Sequence, residues 1–170
     1  MENKGEQKRP KVVETSNYNS LFISTQVENE PATSFRGSLG ELLSNPAHRL
    51  LKDEVLRDIK EKHGKKLLLE AIRECKQPSQ LSFLVAACWE TGIDFSSELS
   101  FFVELALRSE TLVALECLTV IEQSESVPMK MDLSPLVSSC RKASLSATPE
   151  KKFIFDQIAT HIELLEKKDP

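Results

Sequence analysis

Apolar residues along this chain recur at three- and four-residue intervals, the spacing that lines up side chains on one face of an α-helix. Between Pro46 and His63, Leu51, Val55, Leu56 and Ile59 fall on one side. Asn45 is a good N-cap, Pro46 suits a first helical position, and Gly64 is a good C-terminal stop. Asp53/Arg57 and Asp58/Lys62 stand four residues apart with the acid first, the more favourable order. The pattern predicts an amphipathic surface helix over about 46–63 with one wet face.

The next stretch is the most informative. Lys65 to Cys75 reads as a helix, Pro78 breaks it, Ser79 to Thr91 reads as another, and Gly92 stops that one. Ser96 to Leu107 and Ser109 to Gln123 follow as a second pair. A shift of 31 residues lays the first pair on the second: Leu68 on Leu99, Ala71 on Phe102, Ile72 on Val103, Cys75 on Ala106, Leu81 on Leu112, Leu84 on Leu115 and Ala87 on Leu118. Leu84 and Leu115 are thus expected to be equivalent core positions. In a third pair, Ser134 caps and Pro135 opens a helix to about Ser146, and Thr148 caps and Pro149 opens another to about Lys167. Leu136, Cys140 and Ala143 continue the first pattern, while Phe153, Ile154, Ile158, Ile162 and Leu165 form the apolar stripe of the last helix. Self-similarity at a period of roughly 20–50 residues is the mark of stacked repeats.

The helix pairs over roughly residues 65–167 resemble HEAT-like or armadillo-like repeats, families recognised by helix-pair pattern rather than by invariant residues. Their units are commonly somewhat longer than the 31-residue offset found here. The resemblance implies an all-α fold: a short right-handed stack of antiparallel helix hairpins, with a capping helix at about 46–63 and hairpins at about 65–91, 96–123 and 134–167 inside a domain covering 39–170. A compact helical bundle with accidental self-similarity is the alternative.

Residues 1–38 break the pattern. They are polar, poor in large aliphatic residues and balanced in charge, so they are expected to form a disordered tail. The cluster Tyr18-Asn-Ser-Leu21-Phe22-Ile23 interrupts it and reads as a docking peptide, a strap on the domain, or neither. The amino-terminal charges have no apolar stretch behind them, and no run approaches the roughly 18 apolar residues of a membrane span. A cytoplasmic protein that does not insert in membranes is expected.

Composition narrows the chemistry. Four cysteines, Cys75, Cys88, Cys117 and Cys140, lie in apolar helical stretches with no CxxC pair, which predicts buried, reduced thiols rather than a metal site or disulfides. His48, His63 and His161 belong to no catalytic or metal-binding motif, and His63 suits a helix C-terminus. Gly37-Ser-Leu-Gly40 is a lone GxxG, a loop that RNA-binding domains use within a mixed α/β fold, and nothing here predicts strands. No phosphate- or dinucleotide-binding glycine pattern is present, so no cofactor is expected. Trp89, the single tryptophan, is expected in the core, with a binding face as the alternative.

Charge gives the sharpest hint. The whole chain carries −4, yet Gln77 to Met129 holds eight acids against one base, Arg108, a net −7. The flanks are mildly basic, +3 over 48–76 and +1 over 130–170. Such a distribution disfavours nucleic acid, whose phosphates need clustered Lys and Arg. It suits either plain solvation of outer faces or a surface for a partner with basic character. The expected function is a non-catalytic protein-interaction module, a scaffold or adaptor, using Glu90, Asp94, Glu98, Glu104, Glu110, Glu116 and Glu122 as its candidate surface. The alternatives are an enzyme or enzyme subunit with an unrecognised site and, behind it, a nucleic-acid binder using helix 46–63 with Lys65 and Lys66.

Overall fold

The computed structural model describes residues 39–45, 49–62, 64–124 and 132–168, all within the second of the chain's two units, Thr33–Pro170. The expected tail 1–38 with its Tyr18–Ile23 cluster, Pro46, His48, His63, Glu125 and the side chain of Leu51 lie outside the described residues. The described elements are all helical, as the periodicity predicts: α1 (Arg49–Glu61), α2 (Lys65–Glu74), α3 (Pro78–Glu90), a 3₁₀ turn (Ser96–Glu98), α4 (Leu99–Arg108), α5 (Thr111–Glu122), α6 (Ser134–Ser144) and α7 (Pro149–Lys168). Among the described residues no strand occurs, and no helix is long and apolar enough to cross a membrane.

The helix ends follow local chemistry. At the end of α1 the Gly64 amide donates to the Ile59 carbonyl at 2.7 Å, a bond spanning five residues that closes the last turn. A Cβ at Gly64 would lie 2.9 Å from Ile59 Cγ2, so a larger residue there would force a local shift. Gly92 ends α3 with φ +62°, the left-handed conformation glycine adopts without strain. Pro78 opens α3 rather than merely ending α2. Ser134 is the first helical residue of α6, not its cap; the Asp132 carboxylate accepts its amide at 3.1 Å. The Thr148 carbonyl accepts the Lys152 amide in the first turn of α7.

Residues 39–44, which carry no helical signal of their own, form a helical segment ahead of α1. Leu39 and Leu43 are buried, and Gly40 approaches Gln80 and Leu84 of α3 so closely that a Cβ would stand 3.2 Å from Gln80 Oε1. In α1, Val55 and Ile59 are buried and Leu56 is half-buried. The Asp58–Lys62 pair forms at 3.0 Å, while Asp53 and Arg57 stand exposed without an ion pair among the described residues.

The core runs between hairpins α2/α3, α4/α5 and α6/α7, and α5 also packs on α3 and α7. Phe102 is fully buried, with the Phe95 and Phe101 rings edge-on to it at 5.6 and 5.2 Å. Arg73 of α2 lies over the Phe101 ring of α4 at 4.9 Å. Between α6 and α7 a partly buried polar network takes over: Asp156 accepts from Lys152 at 2.7 Å, from the buried Ser144 hydroxyl at 2.8 Å and from Arg141 at 3.5 Å.

The structure corrects the register of the two central hairpins. Lys65–Glu74 and Leu99–Arg108 stand 34 residues apart at both ends, and the buried set Leu68, Leu69, Ala71, Ile72 falls on Phe102, Val103, Leu105, Ala106. In the second helices the shift is 33: Leu84 falls on Cys117, Val85 on Leu118, Ala87 on Val120, Cys88 on Ile121 and Thr91 on Ser124, all buried. The expected equivalence of Leu84 and Leu115 is wrong, since Leu84 is 1% exposed and Leu115 44%. Three residues make nearly one helical turn, so the 31-residue shift still matched core with core in α2 and α4. Two residues rotate a helix by roughly 200°, so in α5 the same shift put Leu112 and Leu115 of the outer face into the matched set, with only Leu118 buried.

A similar slip affects the last helix. Phe153 is 61% exposed, and Phe155 and Ala159 replace it in a buried set with Ile154, Ile158, Ile162 and Leu165. Of the cysteines, Cys88, Cys117 and Cys140 are buried as expected, whereas Cys75 is half-buried just past the end of α2.

Candidate protein-binding surface

The candidate acids do not share one environment. Glu90, the last residue of α3, pairs with Lys52 of α1 at 2.9 Å. Asp94, in the loop after α3, accepts both the amide and the hydroxyl of Ser96, and these hydrogen bonds hold its carboxyl below the usual carboxylate range. Glu98 accepts the Ser97 hydroxyl at 3.3 Å and lies 3.9 Å from Lys65 Nζ. Glu116 accepts the Trp89 indole N–H at 2.8 Å, a tie between α3 and α5. These four serve contacts within the chain. Glu104 on α4, Glu110 just ahead of α5 and Glu122 at its last position are exposed and form no ion pair among the described residues.

The outward face of α5 is what sequence reasoning missed. The helix reads TLVALECLTVIE, apolar on every side, and such a helix is normally enclosed. Packing on α3, α4 and α7 buries Val113, Ala114, Cys117, Leu118, Val120 and Ile121, but leaves Leu112 56% and Leu115 44% exposed. With Thr119 and Glu122 these leucines form one stripe at the i, i+3, i+7, i+10 spacing of a helix face. The 33-residue correspondence places Ser79, Ser82 and Ala86 of α3 opposite Leu112, Leu115 and Thr119. Ser82 and Ala86 are buried on α3, whereas Leu115 is exposed and Thr119 half-buried on α5, so the two hairpins cover this face differently. Phe83 on α3 and Phe153 and Leu164 on α7 are further exposed apolar side chains.

Trp89 is half-buried rather than enclosed. It lines a cavity of about 330 Å³ with Ile93, Asp94, Val120 and Gln123, beneath the Gly92 turn. Burial, with a smaller contribution from neighbouring Cys117, pushes the Cys88 thiol at this cavity well above its ordinary value. Burial likewise raises Cys117, and pushes Cys140 up to about 11. A protonated, enclosed thiol is a poor nucleophile at neutral pH. His161 is half-buried on α7, and its Nε2 has no hydrogen-bond partner among the described residues. Gly40 of the GxxG sits in the 39–44 helical segment, not in a loop.

No protein-family model, curated protein or solved structure matches this chain.

Proposed function

We propose that the chain is a non-catalytic protein–protein interaction module, a scaffold or adaptor, whose three hairpins stack as a short right-handed helical-repeat array. The succession α3–α5–α7, each helix packed on the next, and the 34- and 33-residue correspondence of buried positions support the stacked arrangement. The observation that carries the functional reading is the set of large apolar side chains left in water on these three helices, with Leu112 and Leu115 of α5 foremost. Around them the chain from Gln77 to Met129 is acidic, which suits a partner of basic character. An enzymatic reading would centre on the cavity beside Trp89, where the protonated Cys88 thiol offers no thiolate.

The test is affinity capture on the full chain from its native cell, with crosslinking and mass spectrometry. A stoichiometric protein partner is expected, with crosslinks on the α3–α7 hairpins. Its association should slow as salt rises, because exposed charges are screened within about 10 Å at 0.1 M ionic strength. Reversing exposed acids, Glu104→Lys with Glu110→Lys, should slow association and leave the fold intact. A partner whose binding ignores both salt and the reversals would reduce the acidic surface to a solvated face. Retention of no protein above a control matrix would remove the module reading itself.

A further inference from the structure

On the reading of the chain as an interaction module, we infer that the outward face of α5 receives a basic amphipathic helix of the partner, apolar side chains on Leu112 and Leu115 and lysines or arginines toward Glu110 and Glu122. Three observations converge. The two leucines lie one turn apart on a single stripe and are about half exposed. Exposed acids bracket that stripe, Glu110 before the first turn and Glu122 at its last residue. Neither α3 nor α5 contains a lysine or arginine, and Arg108 at the end of α4 is the one base between Gln77 and Met129.

Physical chemistry selects a helix as the occupant. The backbone groups of α5 are used within the helix, so its flank offers side chains only and no ladder of N–H and C=O groups for an extended strand. A partner laid along α5 gains no backbone bonds from it, which favours a helix, whose backbone is already satisfied internally. At 1.5 Å per residue the 12 residues of α5 span about 18 Å, which matches three to four turns of a partner helix. A second copy of this chain docked through the same face would set Glu110 and Glu122 against the same two acids of the other copy. That like-charge contact disfavours self-association and favours a basic partner.

The experiment titrates the full chain, isotopically labelled, with synthetic peptides of about 14 residues, long enough to cover the face. One peptide carries leucines at helix-face spacing with lysines elsewhere. A second keeps the leucines and replaces lysine by glutamate. A third keeps the lysines but scatters the leucines around the helix. The expected result is saturable binding of the first peptide, amide shift changes confined to residues 110–122 and their packing neighbours, and at least tenfold weaker binding of the other two. Leu112→Ser with Leu115→Ser should weaken the first peptide at least tenfold. Both side chains are about half exposed, so this variant should fold with a modestly lower melting temperature, and an unchanged circular dichroism spectrum with a still cooperative melting curve would verify it. Shifts that map elsewhere, equal binding of the glutamate peptide, or indifference to the double serine variant would overturn the site. Those outcomes leave the module reading standing, since that reading falls only when native-cell capture retains no partner.

Discussion

Replacing Leu84 with alanine should cost several times what the same change costs at Leu115. The substitution removes three carbon groups, worth about 0.8 kcal/mol each when fully buried, or about 2.4 kcal/mol before any cavity is counted. Leu84 is 1% exposed and packed between α2, α5 and the Gly40 segment, so a cavity remains and the total should fall within about 2–5 kcal/mol. Leu115 is 44% exposed, so little more than half of the transfer contribution applies and water fills the space. About 1 kcal/mol is expected there. Urea titration of the full chain measures both, followed by far-ultraviolet circular dichroism and by the fluorescence of Trp89, the single tryptophan. The shift in midpoint multiplied by an unchanged denaturant slope gives each cost. Equal costs would refute the 33-residue register and reinstate the 31-residue one, in which the two leucines are equivalent. A cost under about 1 kcal/mol at Leu84 would refute its place in the core.

Thiol labelling of the native protein at neutral pH should modify Cys75 first, because it is half-buried, and should reach Cys88 and Cys117 only on unfolding; rapid reaction of Cys88 would contradict its enclosure and its raised pKa. Gly92→Ala should cost about 1–2 kcal/mol from backbone conformation alone, since φ is +62° and an added Cβ meets only Lys60 Nζ at 3.7 Å; an unchanged urea midpoint would sink this. Hydrogen bonds from Lys152 and Ser144, with Arg141 nearby, hold the Asp156 carboxyl below its usual range. Its contribution to stability is therefore fully present above the unfolded carboxylate pKa of about 3.9 and is lost as pH falls through the lower folded value. The melting-temperature gap between the parent protein and Asp156→Asn should be steady near neutral pH and should close in acid; a gap that widens on acidification has the wrong sign.

Helix identity was legible because it depends on local chemistry. Gly64 and Gly92 end helices where expected, and Pro78, Pro135 and Pro149 mark helix starts, because glycine and proline act through backbone geometry that no tertiary contact needs to supply. Register was not legible. In α5 eight of the twelve residues are apolar, so several circular shifts of the pattern place leucine on leucine. Only packing on α3, α4 and α7 decides which of them face inward. Phe153 and Phe155 present the same ambiguity two residues apart, and the contact with α6 and α5 selects Phe155. The 39–44 segment was missed for the opposite reason. It is too short to display a period, and it is helical where Leu39, Gly40 and Leu43 meet the core.

The acidic excess changes meaning once its members are placed. Read along the chain, seven candidate acids formed a uniform negative stretch; in the fold, Glu90, Asp94, Glu98 and Glu116 hold α1, the post-α3 loop, the 3₁₀ turn and Trp89 in place. A carboxylate paired with a lysine, as Glu90 and Glu98 are, has its charge largely offset, whereas Asp94 and Glu116, bonded to neutral groups, keep theirs but have an oxygen committed within the chain. Of these seven, the acids with no partner among the described residues are Glu104, Glu110 and Glu122, and two of those three stand before and at the end of the α5 stripe that carries the exposed leucines. Charge alone would have pointed to the whole stretch from Glu90 to Glu122, and hydrophobicity alone to any leucine of α5. The exposed leucines share one face of α5 with Glu122, and Glu110 stands just ahead of its first turn, which reduces the candidate surface to a stripe of about three turns. A partner should then be more sensitive to Leu112 and Leu115 than to any single acid, because burying apolar surface sets the dissociation rate while the remaining charges mainly guide the approach.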